Sequence, residues 1–345
     1  MARMKFMKKF TWLSVCLLFC SVATFVSFQA LSGSSETMSG SVAVIASQPE
    51  PASYESAVAA SNDNYSGKQW AIPKTEVPQA WEVTSGKASV VIAVLDTGID
   101  KGHEDLAGKV IAEVNFTNSP TADDIYGHGT HVAGIIAAAA NNGAGIAGVA
   151  YDCRLMNVKV ADDNGMFFGS VAAKGVRWAV EHGADVINMS LFGMQPSQAL
   201  EEAINYAWSR GVVVVAAAGN GIGTKPAYPA YYSNCLAVVA TDENDCVSSW
   251  SSHGDWVDVA APGVDIYSTL PGDQYDNKSG TSMAAAHVSG LAGLLFALGS
   301  DKNGNGFVND EVRADIEAGC DTVDISGGKG RINAFNAVSK TLASK

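Results

Sequence analysis

The chain has 345 residues, 35 of them Asp or Glu against 22 Lys or Arg, for a formal net charge of −13. So acidic a balance argues against nucleic-acid binding and against docking on anionic lipid, both of which need clustered cations. With 47% apolar residues the chain has ample material for a large core.

The first segment reads as an export signal. Arg3, Lys5, Lys8 and Lys9 precede an apolar run from Phe10 to Phe28. Cleavage fits after Ala23 or near Ala30, and the run is also long enough for an uncleaved anchor. Residues 1–30 are therefore assigned as a signal peptide, and no later segment reads as a membrane span. Residues 31–60, rich in Ser and Ala with Pro49 and Pro51, read as a linker or short pro-segment. Residues 61–345 read as one soluble, secreted domain, expected to be monomeric. Four cysteines lie in it: Cys153, Cys235, Cys246 and Cys320. An even number in an exported protein predicts disulfides, with three pairings open. No Cys or His spacing suggests zinc.

Within this domain, apolar runs at 90–95, 155–160, 186–189, 212–217 and 236–240 have the β-branched character of strands buried on both faces. Helix-like stretches at 130–140, 170–182 and 197–210 alternate with them. The pattern predicts an α/β fold: a doubly wound, mostly parallel central sheet with helices on both faces. In such folds chemistry gathers where loops leave the carboxyl ends of strands.

Four residues stand at such places. Asp96 ends the first run in L-D-T-G-I-D, where a lone aspartate usually forms a turn. His128 lies in G-H-G-T-H-V-A-G, with glycines on both sides that leave the imidazole exposed; His131, three residues on, reads as a core histidine. Asn220 closes A-A-A-G-N after a buried strand. Ser282 sits in N-K-S-G-T-S-M-A-A-A-H, where a loop feeds an apolar helix, and taken alone it reads as an N-cap with an exposed hydroxyl. Together the four make sense as acyl-transfer machinery. A serine hydroxyl needs a histidine to take its proton, and a carboxylate to fix that histidine's tautomer. A side-chain amide and the Ser282 N–H supply donors for the oxyanion.

The order Asp96, His128, Asn220, Ser282, with these flanking residues, resembles the subtilisin family of serine proteases, from about Asp63 to the C-terminus. The loop from Gly219 to Tyr232 and the segment P-Q-A-W at Pro78–Trp81 are similar to its thermitase-like branch. The resemblance implies a serine endopeptidase acting on polypeptides, with Asp96 orienting, His128 as general base and acid, Ser282 as nucleophile and Asn220 as oxyanion donor. Segments around Gly165 and Ser190–Gly193 would pair with an extended peptide. The pocket for the residue before the scissile bond would be walled by Ser190, Leu191, Phe192 and Gly193 on one side. Ala217, Ala218 and Gly219 would form the other, with Ala227 at the base, favouring an apolar or aromatic occupant. Phe192 replaces the family's usual glycine at the pocket mouth. Tyr228–Pro229 matches a family cis-proline turn.

Calcium is the implied cofactor. One site would use Asp63, Asp105, the Asn142 side chain and backbone oxygens of Ala139, Ala144 and Ile146. A second calcium candidate, D-K-N-G-N-G-F-V-N-D-E-V at 301–312, resembles an EF-hand loop through Asp301, Asn303, Asn305 and the Phe307 carbonyl. Val312 stands at its twelfth position, so Glu311 or Asp310 must substitute. The competing reading makes Asn309 a helix N-cap with Asp310 and Glu311 in the first turn.

Two departures from the family are visible. The inhibitory pro-domain common in relatives does not fit between the signal and Ser61, so folding and self-inhibition are expected to work differently. Ala286 replaces the proline four residues after the nucleophile, restoring a helical bond to the Ser282 carbonyl. That change motivates a second enzyme reading, a transpeptidase or peptide cyclase. A proteolytically silent binding protein is the reading from another class, and the intact quartet of residues speaks against it.

Overall fold

Strand β1 (Val91–Asp96) shows why the chain folds in layers: all six residues are buried, and alternate side chains enter different cores. Ile92 and Val94 pack on one face, while Val91, Ala93 and Leu95 pack on the other. A central strand of a parallel sheet is covered on both sides, so it reads as an unbroken apolar run. Removing one such side chain, as in Ile92→Ala, is expected to destabilise by about 2–5 kcal/mol.

The computed structural model describes residues 62–299 and 301–343. The expected signal peptide and the Ser/Ala-rich segment lie outside the described residues. Short helices α1 (Ala71–Lys74) and α2 (Val77–Trp81) precede β1. There follow β2 (Val110–Asn115), α3 (Gly129–Ala137), β3 (Arg154–Lys159), α4 (Gly169–Glu181), β4 (Val186–Met189) and α5 (Gln198–Ser209). Then come β5 (Val213–Ala217), β6 (Cys235–Thr241), β7 (Val259–Pro262) and a hairpin of β8 (Ile266–Leu270) and β9 (Gln274–Lys278). Helices α6 (Thr281–Leu298), α7 (Asn309–Gly319) and α8 (Ala334–Ala343) close the chain.

Seven strands form one parallel sheet in the order β2-β3-β1-β4-β5-β6-β7. The expected α/β architecture is present. Apolar residues of α4 and α5 cover one face, and those of α3 and α6 the other. Ser197 caps α5 by accepting from Leu200 N. Helix α6 lies close against its neighbours because glycine occupies two contact points. A Cβ at Gly290 would fall 2.6 Å from Val149 Cβ, and one at Gly293 2.8 Å from Ile92 Cδ1.

Several expectations need correction. Helix α3 ends at Ala137 rather than at residue 140, because Ala138 turns to extended geometry and Ala139 N donates to Asp105 O at 2.9 Å. Strands β2 and β7, the β8–β9 hairpin and helix α8 were missing from the predicted elements. Strand β2 and the hairpin carry exposed positions, so neither is a continuous apolar run, and β7 is only four residues long and ends in proline. Helix α6 is long and apolar enough to cross a membrane by length and composition, yet 83% of it is buried inside the protein.

The predicted disulfides are absent among the described residues: Cys153, Cys235, Cys246 and Cys320 are all free thiols. Cys153 and Cys235 lie in cores on opposite faces of the sheet, which keeps them apart. Cys246 and Cys320 instead contact nearby carbonyls, Asn244 O at 3.9 Å and Ile316 O at 3.3 Å. Burial pushes Cys153 up to about 11 and Cys320 up to about 12, so both stay protonated.

Candidate active site

Asp96 ends β1 and is 3% exposed; its Oδ1 lies 2.7 Å from His128 Nδ1. His128 immediately precedes α3, and its side chain keeps 22% exposure. Burial alone lowers the imidazole pKa, but the charge and hydrogen bond of Asp96 outweigh it, leaving His128 above its ordinary value. Both partners are held from behind. Thr97 N donates to Asp96 Oδ1 at 2.8 Å, and Thr97 Oγ1 donates to Asp124 Oδ1 at 2.8 Å. Asp124 also accepts from Gly127 N and Thr130 N, each at 2.8 Å, so one buried carboxylate fixes the backbone on either side of His128. Lys159, fully buried opposite Asp96 in the sheet, donates to Thr97 O and pairs with Asp163 at 2.9 Å. His131 is buried, with Nε2 3.1 Å from Asp276 O, and burial pulls it down to about 3, so it stays neutral as a core histidine does.

Ser282 is the second residue of α6 and only 9% exposed. It is neither an N-cap nor an exposed loop-edge hydroxyl. Gly280 holds the cap position, and Ser282 Oγ donates to Ser190 O at 3.2 Å. Ser190 Oγ in turn donates to Ser282 O at 2.8 Å, so the loop after β4 and the start of α6 are cross-bonded. Behind them, Asn188 Nδ2 donates to Ser190 Oγ at 3.0 Å, and Asn188 Oδ1 accepts from Ser289 Oγ at 2.9 Å. Asn220 Oδ1 accepts from both Thr281 N (3.1 Å) and Thr281 Oγ1 (3.0 Å). With its oxygen so held, the amide must present Nδ2 on the other side. A Cβ built on Gly280 would lie 3.6 Å from Asn220 Nδ2 and 3.7 Å from Ser282 N, so the two donors border one small volume. Such a pair can stabilise a developing oxyanion.

Sequence reasoning missed the supporting residues Asp124, Asn188, Thr281 and Ser289, and the role of Lys159. For Asn188 and Lys159 a signal exists: a polar side chain inside a buried apolar strand needs a partner.

The groove beside these residues is apolar. Gly193 pairs its N and O with Tyr228 at 2.8 and 2.9 Å, so its edge is taken by the protein itself. By strand alternation the Phe192 peptide faces the other way, which leaves the open edge nearer Ser190–Phe192 than expected. Gly165 closes a tight turn with φ +77° beneath the Tyr126 ring. Tyr126, Met166, Phe168 and Met194 are exposed around it, and a groove of about 500 Å³ runs from Gly165 past Phe192 to Tyr228. Ala217, Ala218 and Ala227 are fully buried, and the Tyr228–Pro229 bond is cis. The Phe192 ring lies on Gly219: a Cβ there would meet its Cδ2 at 2.9 Å.

Asp63 and Asp105 grip the loop from Ala139 to Ile146 from two sides. Asp63 accepts from Asn141 N at 2.9 Å and Asn142 N at 3.1 Å. Asp105 is fully buried and accepts from Asn142 Nδ2 (2.9 Å), Ile146 N (2.9 Å) and Tyr275 OH (3.0 Å), and burial raises its carboxyl pKa. Ala144 N donates to Asn142 Oδ1 at 2.9 Å. In the 301–312 loop, Asn309 is the first residue of α7 rather than its cap, and its Nδ2 donates to Trp208 O at 3.0 Å. Among the described residues no three His, Cys, Asp or Glu side chains converge on one point. A cation held at either loop would therefore need amide and backbone oxygens as well.

Residues 87–317 match the Subtilase family. The chain is 46% identical to thermitase of Thermoactinomyces vulgaris over 282 residues, spanning 80% of this chain and 98% of that protein. It is also 46% identical to the thermophilic serine proteinase of Bacillus sp. strain AK1 over 283 residues, 81% of this chain and 69% of that one. A solved protease structure from Pseudoalteromonas arctica superposes with a TM-score of 0.74 at 30% identity, covering 81% of this chain and 99% of that one. The family match and these protease relatives make the chain a serine endopeptidase by class. The chain belongs to the subtilase family.

Proposed function

We propose that the protein is a secreted endopeptidase in which Ser282 is the nucleophile, His128 the general base and acid, Asp96 its orienting carboxylate and Asn220 an oxyanion donor. The observation that carries this reading is the 2.7 Å contact between Asp96 and His128 Nδ1. It leaves Nε2 as the proton acceptor. Ser282 Oγ turns from Ser190 O to that nitrogen by rotation about its Cα–Cβ bond, then attacks the peptide carbonyl as its proton passes to His128. The oxyanion falls between Asn220 Nδ2 and Ser282 N. His128 returns the proton to the leaving amine, and water resolves the acyl-enzyme by the same path in reverse.

The polypeptide would lie extended against Gly165 and Ser190–Phe192. Uncharged walls favour an apolar or aromatic residue before the scissile bond, and the Phe192 ring on Gly219 shortens the space for it. Calcium fits the loop held by Asp63, Asp105 and Asn142, with the backbone oxygens of Ala139, Ala144 and Ile146. Asp105 is buried and pairs with no Lys or Arg among the described residues. The ion would supply positive charge that staples this loop to the residues before β1. Helix α6 runs unbroken through Ala286.

Steady-state cleavage of a chromogenic peptide ester or anilide tests the assignment. Ser282→Ala is expected to lose about 10⁶-fold in kcat, and a variant within tenfold of wild type would overturn it.

A further inference from the structure

The Asp301–Glu311 loop leaves acidic oxygens that the protein does not satisfy. Glu311 is 8% exposed; its Oε1 accepts from Lys302 N (3.0 Å) and Asn303 N (3.2 Å), so the carboxylate points into the loop. Its Oε2 is buried and has no partner. Asp310 repeats the pattern. Oδ2 accepts from Asn303 Nδ2 at 2.6 Å and Asn305 Nδ2 at 3.2 Å, while Oδ1 is buried with no partner. Two adjacent carboxylates, whose side chains lie against each other, thus each leave one buried oxygen without an N–H or O–H donor. Buried acceptors are rarely left so, and like charges side by side aggravate the cost.

The nearby cations are spoken for. Lys302 Nζ turns away to Asp315, 2.8 Å from both its oxygens. Arg313 pairs with Asp258 and Glu317. What remains is a loop with oxygen side chains at Asp301, Asn303 and Asn305. Asp301 turns it by accepting from Gly304 N (2.7 Å) and Gly306 N (2.9 Å), both glycines at positive φ. The two asparagine amides that now reach Asp310 are weak stand-ins for positive charge.

We infer that this loop is a calcium site independent of the Asp63–Asp105 loop, held by the carboxylates of Asp310 and Glu311 with amide and backbone oxygens of Asn303, Asn305 and Phe307. Hard oxygen donors, a glycine-turned loop and two adjacent acidic side chains suit calcium. Asp310 enters as a ligand because its carboxylate faces the same interior as Glu311, which makes up for Val312 at the twelfth position. The ion would fix a corner of the fold. Phe307 packs on Gly211, between α5 and β5, and Asn309 bonds Trp208 O at the end of α5, while Glu311 lies in the first turn of α7.

Hydrogen exchange of the full chain, with calcium and with chelator, tests the inference, beside an Asp310→Asn/Glu311→Gln double variant. In wild type, amides of 301–312 are expected to slow about tenfold when calcium is at ten times its dissociation constant. The double variant should lose that response while exchanging no faster than wild type under chelation, since the amides remove the carboxylate repulsion. Calorimetric titration should show one calcium-binding event fewer in the variant than in wild type. Unchanged wild-type exchange on adding calcium would overturn the inference, whether or not the variant folds. So would a variant that keeps the wild-type number of binding events. Asp105→Asn should leave the response of this loop intact, which separates it from the first calcium loop.

Discussion

The carboxyl end of the sheet and the Asp301–Glu311 loop both hold buried carboxylate oxygens, and they differ in how many of those oxygens the chain itself satisfies. At the ends of β1, β4 and β5 most polar groups find partners within the chain, Asp96 Oδ2 being the buried exception. Asp124 takes Thr97 Oγ1, Gly127 N and Thr130 N, and Ser190 and Ser282 exchange hydrogen bonds. In the loop, Asp310 Oδ1 and Glu311 Oε2 have none. The contrast is between a site ordered chiefly by its own hydrogen bonds and a loop in which two adjacent carboxylates each keep an oxygen without a donor. Catalysis by positioned dipoles requires the first kind, because reorganising them during the reaction would consume the stabilisation they provide.

The sharpest way to break this picture is at its centre. Asp96→Asn keeps the shape but removes the charge and reverses the hydrogen bond that sets the His128 tautomer. It should lower kcat by about 10⁴-fold in peptide hydrolysis, with the fold unchanged by circular dichroism. Asn220→Leu removes one of the two donors and should lower kcat by about 10²- to 10³-fold with little change in KM. A fall in KM affinity alone would mean that Asn220 binds substrate rather than the oxyanion. Phe192→Gly should raise kcat/KM for a large aromatic residue before the scissile bond by about tenfold relative to alanine there. An unchanged ratio would place that side chain outside the pocket.

The smallest expected effect is on pH. His128 acts only when neutral, and Asp96 raises its pKa, so activity is lost as pH falls through that raised value. The acid limb of kcat/KM should have its midpoint above the ordinary imidazole value of about 6.5. A midpoint below it would mean that burial outweighs the Asp96 charge. His131 and His287 do not contribute to this limb, since burial holds them neutral at about 3 and about 4.

How much of this was legible in the sequence follows from burial. Strands β1, β3, β4, β5 and β6 are covered on both faces and read directly as apolar runs. Strand β2 has only half-buried and exposed positions at the sheet edge, and β9 is mostly polar, so neither carries that signature. The structure brings Asp96 to His128, and Asn220 to the start of the Ser282 helix. What holds them was hidden, because the partners are far apart in sequence: Asn188 bonds Ser289 from 101 positions away, and Lys159 reaches Thr97 across 62. Composition also misled. Four cysteines in an exported chain suggest disulfides, but only the fold shows two of them on opposite faces of a sheet.

The most direct test of the central claim is covalent. Purified protein is treated with a fluorophosphonate, and the adduct is located by mass spectrometry in wild type, Ser282→Ala and His128→Ala. The account predicts one adduct per chain, on Ser282, absent from Ser282→Ala and slowed by orders of magnitude in His128→Ala. A folded wild-type protein that takes no label, or one labelled at another serine, would contradict it.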